Sequence, residues 1–337
     1  MSQETIWWMN KKGEAKRTVY EGTKNKTEFK LFLEICKADK DTLKGYLIEK
    51  LQSFYADVLS GDGYVYAKGT CPILLTAHMD TVHEKCIKDF YDKRYYNKTR
   101  KRYEHKISSP QGIGGDDRCG IYMILKILME TDYRPTILFC EDEEIGGVGS
   151  KKFVKEKDLV DEISELKYFI ELDRANAFDA VYYDCGNKEF QSYVESFGFE
   201  EDYGSFSDIG HLSPAADVAS VNLSCGYYEQ HTLGEYVIVE EMFDTINKVK
   251  AMLADANKAE KYDYQEVTYN YGSLYGSYYG RKYDYLGMEI TYQDQNMVTQ
   301  YEYYDMDDYD EYGVLGRFFV EHPEVCWNDV LDYQIVA

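Results

Sequence analysis

Short apolar runs through the middle of the chain predict buried β-strands. The clearest runs are residues 73–77, 136–140 and 168–170, and a fourth covers residues 218–224. Longer stretches with apolar residues at helical spacing, such as residues 118–129, lie between these short runs. Because strands and helices alternate from about residue 72 to about residue 252, we expect a sheet covered by helices, which is the α/β class.

The N-terminal part of the chain predicts two helices and a hairpin. Apolar residues recur at helical spacing over residues 27–36, and Asp41 opens a second helix that runs to Gln52. The sequence Ser-Gly-Asp-Gly then predicts a tight turn between strands at residues 55–59 and 64–67.

The composition changes at two places along the chain. Residues 84–108 form a basic insert with several tyrosines, which indicates either a nucleic-acid patch or, more simply, a solvated hairpin. Residues 261–312 hold 15 tyrosines, 11 Asp/Glu and 3 Lys/Arg, a composition typical of either a disordered tract or a twisted edge hairpin. Residues 314–327 regain enough apolar character for a small helical unit.

These changes predict a domain at residues 1–257, with its motifs between residues 72 and 235, and an acidic tyrosine-rich extension at residues 258–337. The extension gives no indication of its role.

The charge and the cysteine content of the chain limit the binding partners and the cellular compartment that we expect for the protein. The net charge of -23 argues against binding to nucleic acid or to an anionic membrane. The chain has no apolar run long enough to span a bilayer, and its start lacks the pattern of a signal peptide. The eight cysteines have no paired spacing, which favours the reducing cytoplasm. We expect Cys119 and Cys140, which lie in apolar surroundings, to act as small buried hydrophobes.

The residues that carry chemistry stand at the ends of the apolar runs. His78 and Asp80 end the first predicted strand, and side chains two positions apart on a strand point the same way. His78 can therefore bind a metal, while Asp80 accepts a hydrogen bond from a neighbouring imidazole and fixes its orientation. The alternative is a core histidine beside a surface aspartate. His83 offers a rival cluster, provided that residues 81–82 turn sharply.

Two adjacent aspartates precede the helical run at residues 118–129. Gly114 and Gly115 allow the backbone to bend tightly, and a carboxylate is favoured at the positive end of a helix. Either aspartate could be an ordinary helix cap, and Asp117 suits that role. Asp116 is the better ligand candidate, since a two-metal site needs a carboxylate shared between ions about 3.5–4 Å apart.

Glu143 and Glu144 end a run of four acids that follows the strand at residues 136–140. Such a run is usually a solvated loop. Here it directly follows a core strand and precedes two glycines, which permit close approach of the backbone. Two neighbouring glutamates allow one to bind metal while the other takes a proton from water.

Two further candidates follow later strands. Asp173 shares a strand face with Glu171, so either carboxylate could coordinate a metal, and the alternative is a surface ion pair between Asp173 and Arg174. His231 lies in a loop after the strand at residues 218–224. A lone loop histidine is more often no ligand, but the carboxylates already assembled make His231 a candidate.

Together these segments resemble the co-catalytic dizinc aminopeptidase superfamily, which includes the M28, M20 and M42 peptidases. The resemblance covers roughly residues 60–255. It rests on five motifs in order: Leu-Thr-Ala-His-Met-Asp-Thr-Val at 75–82, Gly-Ile-Gly-Gly-Asp-Asp at 112–117, Glu-Glu-Ile-Gly at 143–146, Glu-Leu-Asp-Arg at 171–174 and Gln-His-Thr at 230–232. It implies a three-layer α/β/α fold, like that of zinc peptidases and phosphorylases, with a central mixed, mostly parallel sheet.

The resemblance also implies a role for each residue. One zinc ion is held by His78 and Asp173, the other by Glu144 and His231, and Asp116 bridges the two. Glu143 is then the general base, and Asp80 is a catalytic partner that orients His78. Glu235, placed at the start of the last long helix, supports the His231 loop. Manganese or cobalt could take the same nitrogen and oxygen ligands.

The spacing of the motifs narrows the resemblance. Many M20 members carry a domain between the fourth and fifth ligands, but His231 follows Asp173 by only 58 positions. M42 members carry a domain between the first and second ligands, yet Asp116 follows His78 by only 38 positions. We therefore expect the compact, lid-free M28-like layout.

The expected function follows from that layout. A lid-free site suits an aminopeptidase that acts on a peptide or small amide, with no nucleic-acid or membrane partner. The alternatives are a deacylase or carboxypeptidase-type amide hydrolase, and a non-catalytic binding protein that kept the fold.

Overall fold

The computed structural model of the protein describes most of the chain between residues 26 and 267 and shorter parts on either side. The described residues are 5–9, 15–19, 26–83, 86–204, 206–267, 287–293, 299–305, 322 and 330–336. They belong to two compact units, Met1–Val267 and Thr268–Ala337. The first unit carries every candidate site residue.

The first unit contains helices and strands in alternation. Its helices are α1 (Lys26–Lys37), α2 (Lys40–Gln52), α3 (Gly115–Glu130), α4 (Val148–Phe153), α5 (Lys157–Ile163), α6 (Lys188–Glu195), α7 (Ile209–Ala216) and α8 (Val239–Asp255). Its strands are β1 (Thr5–Met9), β2 (Ala15–Val19), β3 (Leu59–Gly61), β4 (Tyr64–Ala67), β5 (Cys71–His78), β6 (Tyr91–Asn97), β7 (Arg102–Ser108), β8 (Pro135–Cys140), β9 (Tyr168–Arg174), β10 (Asp179–Val181), β11 (Glu200–Asp202), β12 (Ser220–Ser224), β13 (Tyr227–Tyr228) and β14 (Tyr236–Ile238). Among the described residues, no helix combines the length and apolar character needed to cross a bilayer.

The central sheet has the strand order β11-β10-β12-β9-β5-β8-β4-β3. Its middle strands β12, β9, β5 and β8 run parallel, whereas β4 pairs with β8 in the antiparallel sense. The register places His78 opposite Cys140 and Thr76 opposite Glu171. Parallel strands end at the same edge of a sheet, so the ends of β5, β8 and β9 lie side by side.

Strand β5 shows why the sheet carries helices on both faces. Ile73, Leu75 and Ala77 belong to one apolar core, and Leu74 belongs to a second core on the opposite face. Helices α3 and α8 pack against the first face, with α1 against α3, while α4 and α7 pack against the second. The predicted three-layer α/β/α fold with a mixed, mostly parallel central sheet is confirmed.

The basic insert forms part of a second sheet, with the order β13-β14-β7-β6-β1-β2. Strands β6 and β7 pair as the predicted hairpin. Several of its cations are not simply solvated, because Arg100 contacts Glu241 at 2.9 Å and Arg102 contacts Asp244 at 2.6 Å, both on α8. Part of the basic charge of the insert is therefore compensated by acids of the same chain.

The first hairpin differs from its prediction on one side. Strand β4 matches the predicted residues 64–67, but the preceding strand β3 begins only at Leu59, so the prediction of a strand from residue 55 was wrong. Tyr55 is buried, and its hydroxyl donates to the carbonyl of Pro135 at 2.7 Å. This anchor holds the chain after α2 in an irregular path.

The second unit contains an antiparallel sheet of the order β16-β15-β17, made of β15 (Gly287–Gln293), β16 (Thr299–Asp305) and β17 (Val330–Val336). Within residues 261–312, the pairing of β15 with β16 agrees with the hairpin alternative. The predicted helical unit at residues 314–327 lies outside the described residues, apart from His322.

The two cysteines expected to act as small hydrophobes are confirmed as core residues. Cys119 and Cys140 are fully buried. Burial raises the pKa of both thiols, so they stay protonated and apolar.

Candidate metal centre

The predicted ligands gather at the edge of the central sheet where its parallel strands end. Strand β5 ends at His78, β9 carries Asp173 near its end, and Asp116 lies in the first turn of α3. Glu144 lies in the loop after β8, and His231 in the loop between β13 and β14. Three elements and two loops that are far apart in sequence thus meet at one place.

Asp116 links two groups of these residues. On one side, Nε2 of His78 lies 2.9 Å from Oδ1 of Asp116 and 3.5 Å from Oδ1 of Asp173. On the other side, Nε2 of His231 lies 3.3 Å from Oδ2 of Asp116 and 3.0 Å from Oε2 of Glu144. The two oxygens of one carboxylate therefore face two different sets of ligand atoms.

The separations fit the ligand shell of a metal ion. Zinc bonds of about 2.0–2.1 Å in a tetrahedral shell place neighbouring ligand atoms about 3.3 Å apart. The four distances of 2.9, 3.5, 3.3 and 3.0 Å scatter around this value. In addition, His78, Asp116 and Glu144 offer ligand atoms that all lie within 4.8 Å of one another. Imidazole nitrogens with carboxylate oxygens are the donor set that zinc accepts.

The charge of the cluster also favours a bound cation. Burial and the neighbouring Asp116 carboxylate raise the pKa of Asp173 to about 7. Hydrogen bonds with Asp116 and Glu144 raise the pKa of His231 to about 11. Carboxylates that are crowded in a buried site repel one another unless positive charge lies between them. Protonated histidines can supply that charge, and so can a bound metal ion.

One face of the site is open. The side chain of His231 is 43% exposed, whereas that of His78 is fully buried. His231 also adopts a φ of 62°, in the left-handed region that costs a non-glycine residue roughly 1–2 kcal/mol. Such conformations persist where the surrounding structure fixes them, often at functional sites.

Asp80 contacts both His78 and the acid run. Its Oδ1 lies 3.4 Å from Nδ1 of His78, the ring nitrogen that does not face Asp116. Its two oxygens accept hydrogen bonds from the backbone N–H groups of Glu143 and Glu144, each at 3.1 Å. Burial raises the pKa of Asp80, but the hydrogen bond with His78, the charge of His78 and the two backbone hydrogen bonds outweigh burial and lower the pKa to about 2. The second contact, which fixes the loop after β8, was not foreseen from the sequence.

Glu143 lies beside the cluster without joining either group of ligand atoms. Its side chain is only 8% exposed. Burial, together with the charges of Asp173 and Asp208, raises the pKa of Glu143 well above its ordinary range. A buried glutamate with a raised pKa next to a reaction site can hold and release a proton.

Asp117 has the structural role that its position at the helix start suggested. Its Oδ1 accepts from the N–H of Gly120 at 2.9 Å, and its Oδ2 accepts from the N–H of His78 at 3.1 Å. Asp117 also offers an atom within 4.8 Å of His78 and Asp173. Because both of its oxygens already accept backbone hydrogen bonds, we regard Asp117 as a support for α3 and β5.

Glu235 differs from its prediction in place and in contacts. It precedes β14 rather than opening the last helix, since α8 begins at Val239. Its carboxylate accepts from the N–H groups of Gly114 at 2.8 Å and Asp116 at 3.0 Å, and it contacts Nε2 of His83 at 2.8 Å. Glu235 therefore fixes the loop that carries Asp116. His83 joins this contact rather than the rival cluster around His78.

We expect Glu235→Gln to weaken zinc binding by about 10- to 100-fold, the usual effect of removing a group that orients a metal ligand. The amide cannot accept all three hydrogen bonds, so the loop that carries Asp116 loses its position. Titration against a competing chelator would measure the change. Glu195→Gln, at an exposed position on α6, is the matched control. Equal zinc affinities in the two variants would contradict the assignment.

The charged residues that flank Asp173 in sequence, Glu171 and Arg174, contact other side chains. Glu171 is fully buried and accepts a hydrogen bond from the hydroxyl of Ser207. Arg174 contacts Asp202 at 2.6 Å, so the surface pair with Asp173 is not observed. Asp173 instead accepts from the hydroxyl of Tyr227, at 3.2 Å to its Oδ1.

The run of four acids divides into two pairs. Lys40 contacts Asp142 at 2.6 Å and Lys44 contacts Glu141 at 3.3 Å, so α2 compensates the first pair. Glu143 and Glu144 form the second pair, which lies at the candidate metal centre. The ionic contacts made by α2 were not foreseen, because residues 40–44 lie far from the acids in sequence.

Comparison with solved structures supports the fold. Aminopeptidase PepT from Bacillus cereus ATCC 10987 is 16% identical, covers 69% of this chain and 99% of its own, and has a TM-score of 0.51. A tripeptidase from Staphylococcus aureus subsp. aureus Mu50 is 14% identical over 70% of this chain and 99% of its own, with a TM-score of 0.53. An aminopeptidase from the archaeon Desulfurococcus kamchatkensis is 14% identical over 70% of this chain and 96% of its own, with a TM-score of 0.50.

Sequence comparisons add no relative. No protein-family profile matches the chain, and no curated protein matches it. At identities of 14–16% the structural similarity establishes the architecture alone. The resemblance inferred from the five motifs is therefore confirmed at the level of the fold, which this chain shares with these aminopeptidase and tripeptidase structures.

Proposed function

We propose that the protein is a two-zinc aminopeptidase, which removes the N-terminal residue from peptides. The observation that carries the proposal is the position of Asp116, whose two carboxylate oxygens face separate His–carboxylate pairs. A carboxylate placed between two ligand sets is the arrangement required by a two-metal site. The structural neighbours are two aminopeptidases and a tripeptidase, which favours peptides as the substrate class.

In this proposal each pair holds one ion. His78 and Asp173 would hold the first ion, His231 and Glu144 would hold the second, and Asp116 would contribute to both. When bound, the ions supply a water molecule of lowered pKa and polarise the scissile carbonyl. Manganese or cobalt would fit the same donors, because nitrogen and oxygen ligands do not fix the identity of the ion.

Glu143 performs the proton transfers. It accepts a proton from the attacking water and delivers it to the nitrogen of the departing amine. Glu144 is unsuited to this task because its Oε2 already contacts His231 at 3.0 Å. Asp80 keeps Glu143 in place through the backbone, and this contact ties the position of the base to that of His78.

The test is release of a chromophore from leucine 4-nitroanilide, compared with its N-acetylated form. We expect turnover of the free amine, loss of turnover after treatment with a chelator, and recovery when zinc is added back. The acetylated compound should be cleaved at least about tenfold more slowly, because the amino group loses its charge and its fit. Faster release of the chromophore from the acetylated compound would identify an endopeptidase instead, and release of acetate from it without the chromophore would identify a deacylase. Zinc binding without hydrolysis of either compound would indicate a binding protein.

A further inference from the structure

A cavity of about 390 Å³ opens beside the candidate metal centre. The turn between α1 and α2, the loop after β5, the loop before α3 and the loop after β8 contribute to its wall. Glu144 lines this cavity and also belongs to the ligand group of His231. The cavity and the centre are thus continuous through one side chain.

The surface that the wall exposes to the cavity is mainly apolar. Ile113 is fully buried and Cys36 is 7% exposed, and both line the cavity together with Ala38 and Ile87. Val82 lies nearer the surface, with an exposed fraction of 42%. An apolar wall of this kind favours an apolar occupant, because each buried CH₂ group leaves water.

The charged groups of the wall already have partners. Lys40 contacts Asp142 at 2.6 Å, and Arg118 donates to the carbonyls of Met79 at 2.6 Å and Ala38 at 3.1 Å. Asp39 accepts from the backbone N–H of Thr42, where it caps α2. A charged side chain entering the cavity would lose its hydration and would have to compete with these existing contacts.

We propose that this cavity binds the side chain of the N-terminal residue of the peptide and selects large apolar residues, such as leucine, methionine and phenylalanine. This inference rests on the proposed aminopeptidase function. An apolar cavity of about 150 Å³ is already large enough for benzene, so the volume of about 390 Å³ accommodates an aromatic side chain.

The expected selectivity is large. One methylene group in an apolar pocket changes kcat/KM by about 10- to 200-fold. We therefore expect leucine 4-nitroanilide to be cleaved with a kcat/KM at least about tenfold above that of the glycine and glutamate compounds.

The variant Val82→Trp tests the position of the pocket. A tryptophan there would fill the cavity from its exposed side without disturbing the buried core. We expect it to lower kcat/KM for leucine and phenylalanine substrates by at least about tenfold and to affect the glycine substrate little. Met129→Trp, at an exposed position at the end of α3, is the matched control and should change none of these values.

Calorimetry on the same variants measures the binding of leucine amide and glycine amide. It tests whether the pocket binds the side chain independently of whether the protein hydrolyses a substrate. Loss of leucine amide affinity in Val82→Trp supports the pocket, even if no substrate is hydrolysed and the enzymatic proposal fails. An unchanged leucine-to-glycine ratio in an active Val82→Trp protein overturns the pocket and leaves the aminopeptidase intact. Absence of both hydrolysis and amide binding in the unaltered protein overturns both.

Discussion

Asp116→Ala is expected to lower the zinc content from two ions per chain to nearly none. Each of the two ligand groups uses one oxygen of this carboxylate, so one substitution removes a donor from both. The remaining donors would be one histidine and one carboxylate on each side, too few for a stable zinc site. Hydrolysis should fall by more than about 100-fold, beyond the effect of losing a residue that merely orients a ligand. Elemental analysis of the purified protein would measure the metal.

The control for this experiment is Asp158→Ala, an exposed aspartate on α5. It should keep both ions and full activity, and circular dichroism should show both variants folded. Retention of one ion in Asp116→Ala would indicate that the ligand groups bind independently. Retention of two would remove Asp116 from the centre altogether.

Glu143→Gln is expected to separate chemistry from binding. Glutamine keeps the size of the side chain and leaves the five proposed ligands untouched, so zinc content should stay at that of the unaltered protein. It cannot accept and return a proton, and loss of a general base typically lowers kcat by about 10²–10⁴-fold. KM should change little, since Glu143 does not take part in either ligand group. Steady-state kinetics with leucine 4-nitroanilide gives both constants.

The neighbouring acid provides the comparison for Glu143. Glu141→Gln removes the carboxylate that contacts Lys44 at 3.3 Å. Glutamine keeps the size of the side chain, and Glu141 belongs to neither ligand group, so this variant should remain within a fewfold of full activity. If Glu143→Gln kept its turnover, another group would have to act as the base. If it lost zinc as well, its role would be coordination.

The sheet could be predicted because its middle strands are buried on both faces. Residues 73–77, 136–140 and 168–170 are short and continuously apolar, which is typical of parallel strands between two helical layers. The register could not be derived from such runs, because an apolar side chain suits either face. The irregular path after α2 was missed for a related reason, since Tyr55 is held by a distant carbonyl rather than by a neighbour.

The candidate ligands could be found from the sequence because each stands at the end of a strand, in the loop just after a strand, or at the start of a helix. Their order and type could be read directly. The supporting contacts could not, because they join distant parts of the chain. Glu235 lies 121 positions from Gly114, and Lys40 lies 102 positions from Asp142. Nothing local distinguishes these residues from ordinary surface charges.

The contacts of α2 with the acid run affect how far the protein can be shortened. A fragment that began at β5 would keep every proposed ligand and every recognisable motif. It would also leave Glu141 and Asp142 without their lysines, next to other carboxylates that repel them. A truncation from the N-terminus must therefore stop before residue 40, which lies well before the first motif at residues 75–82.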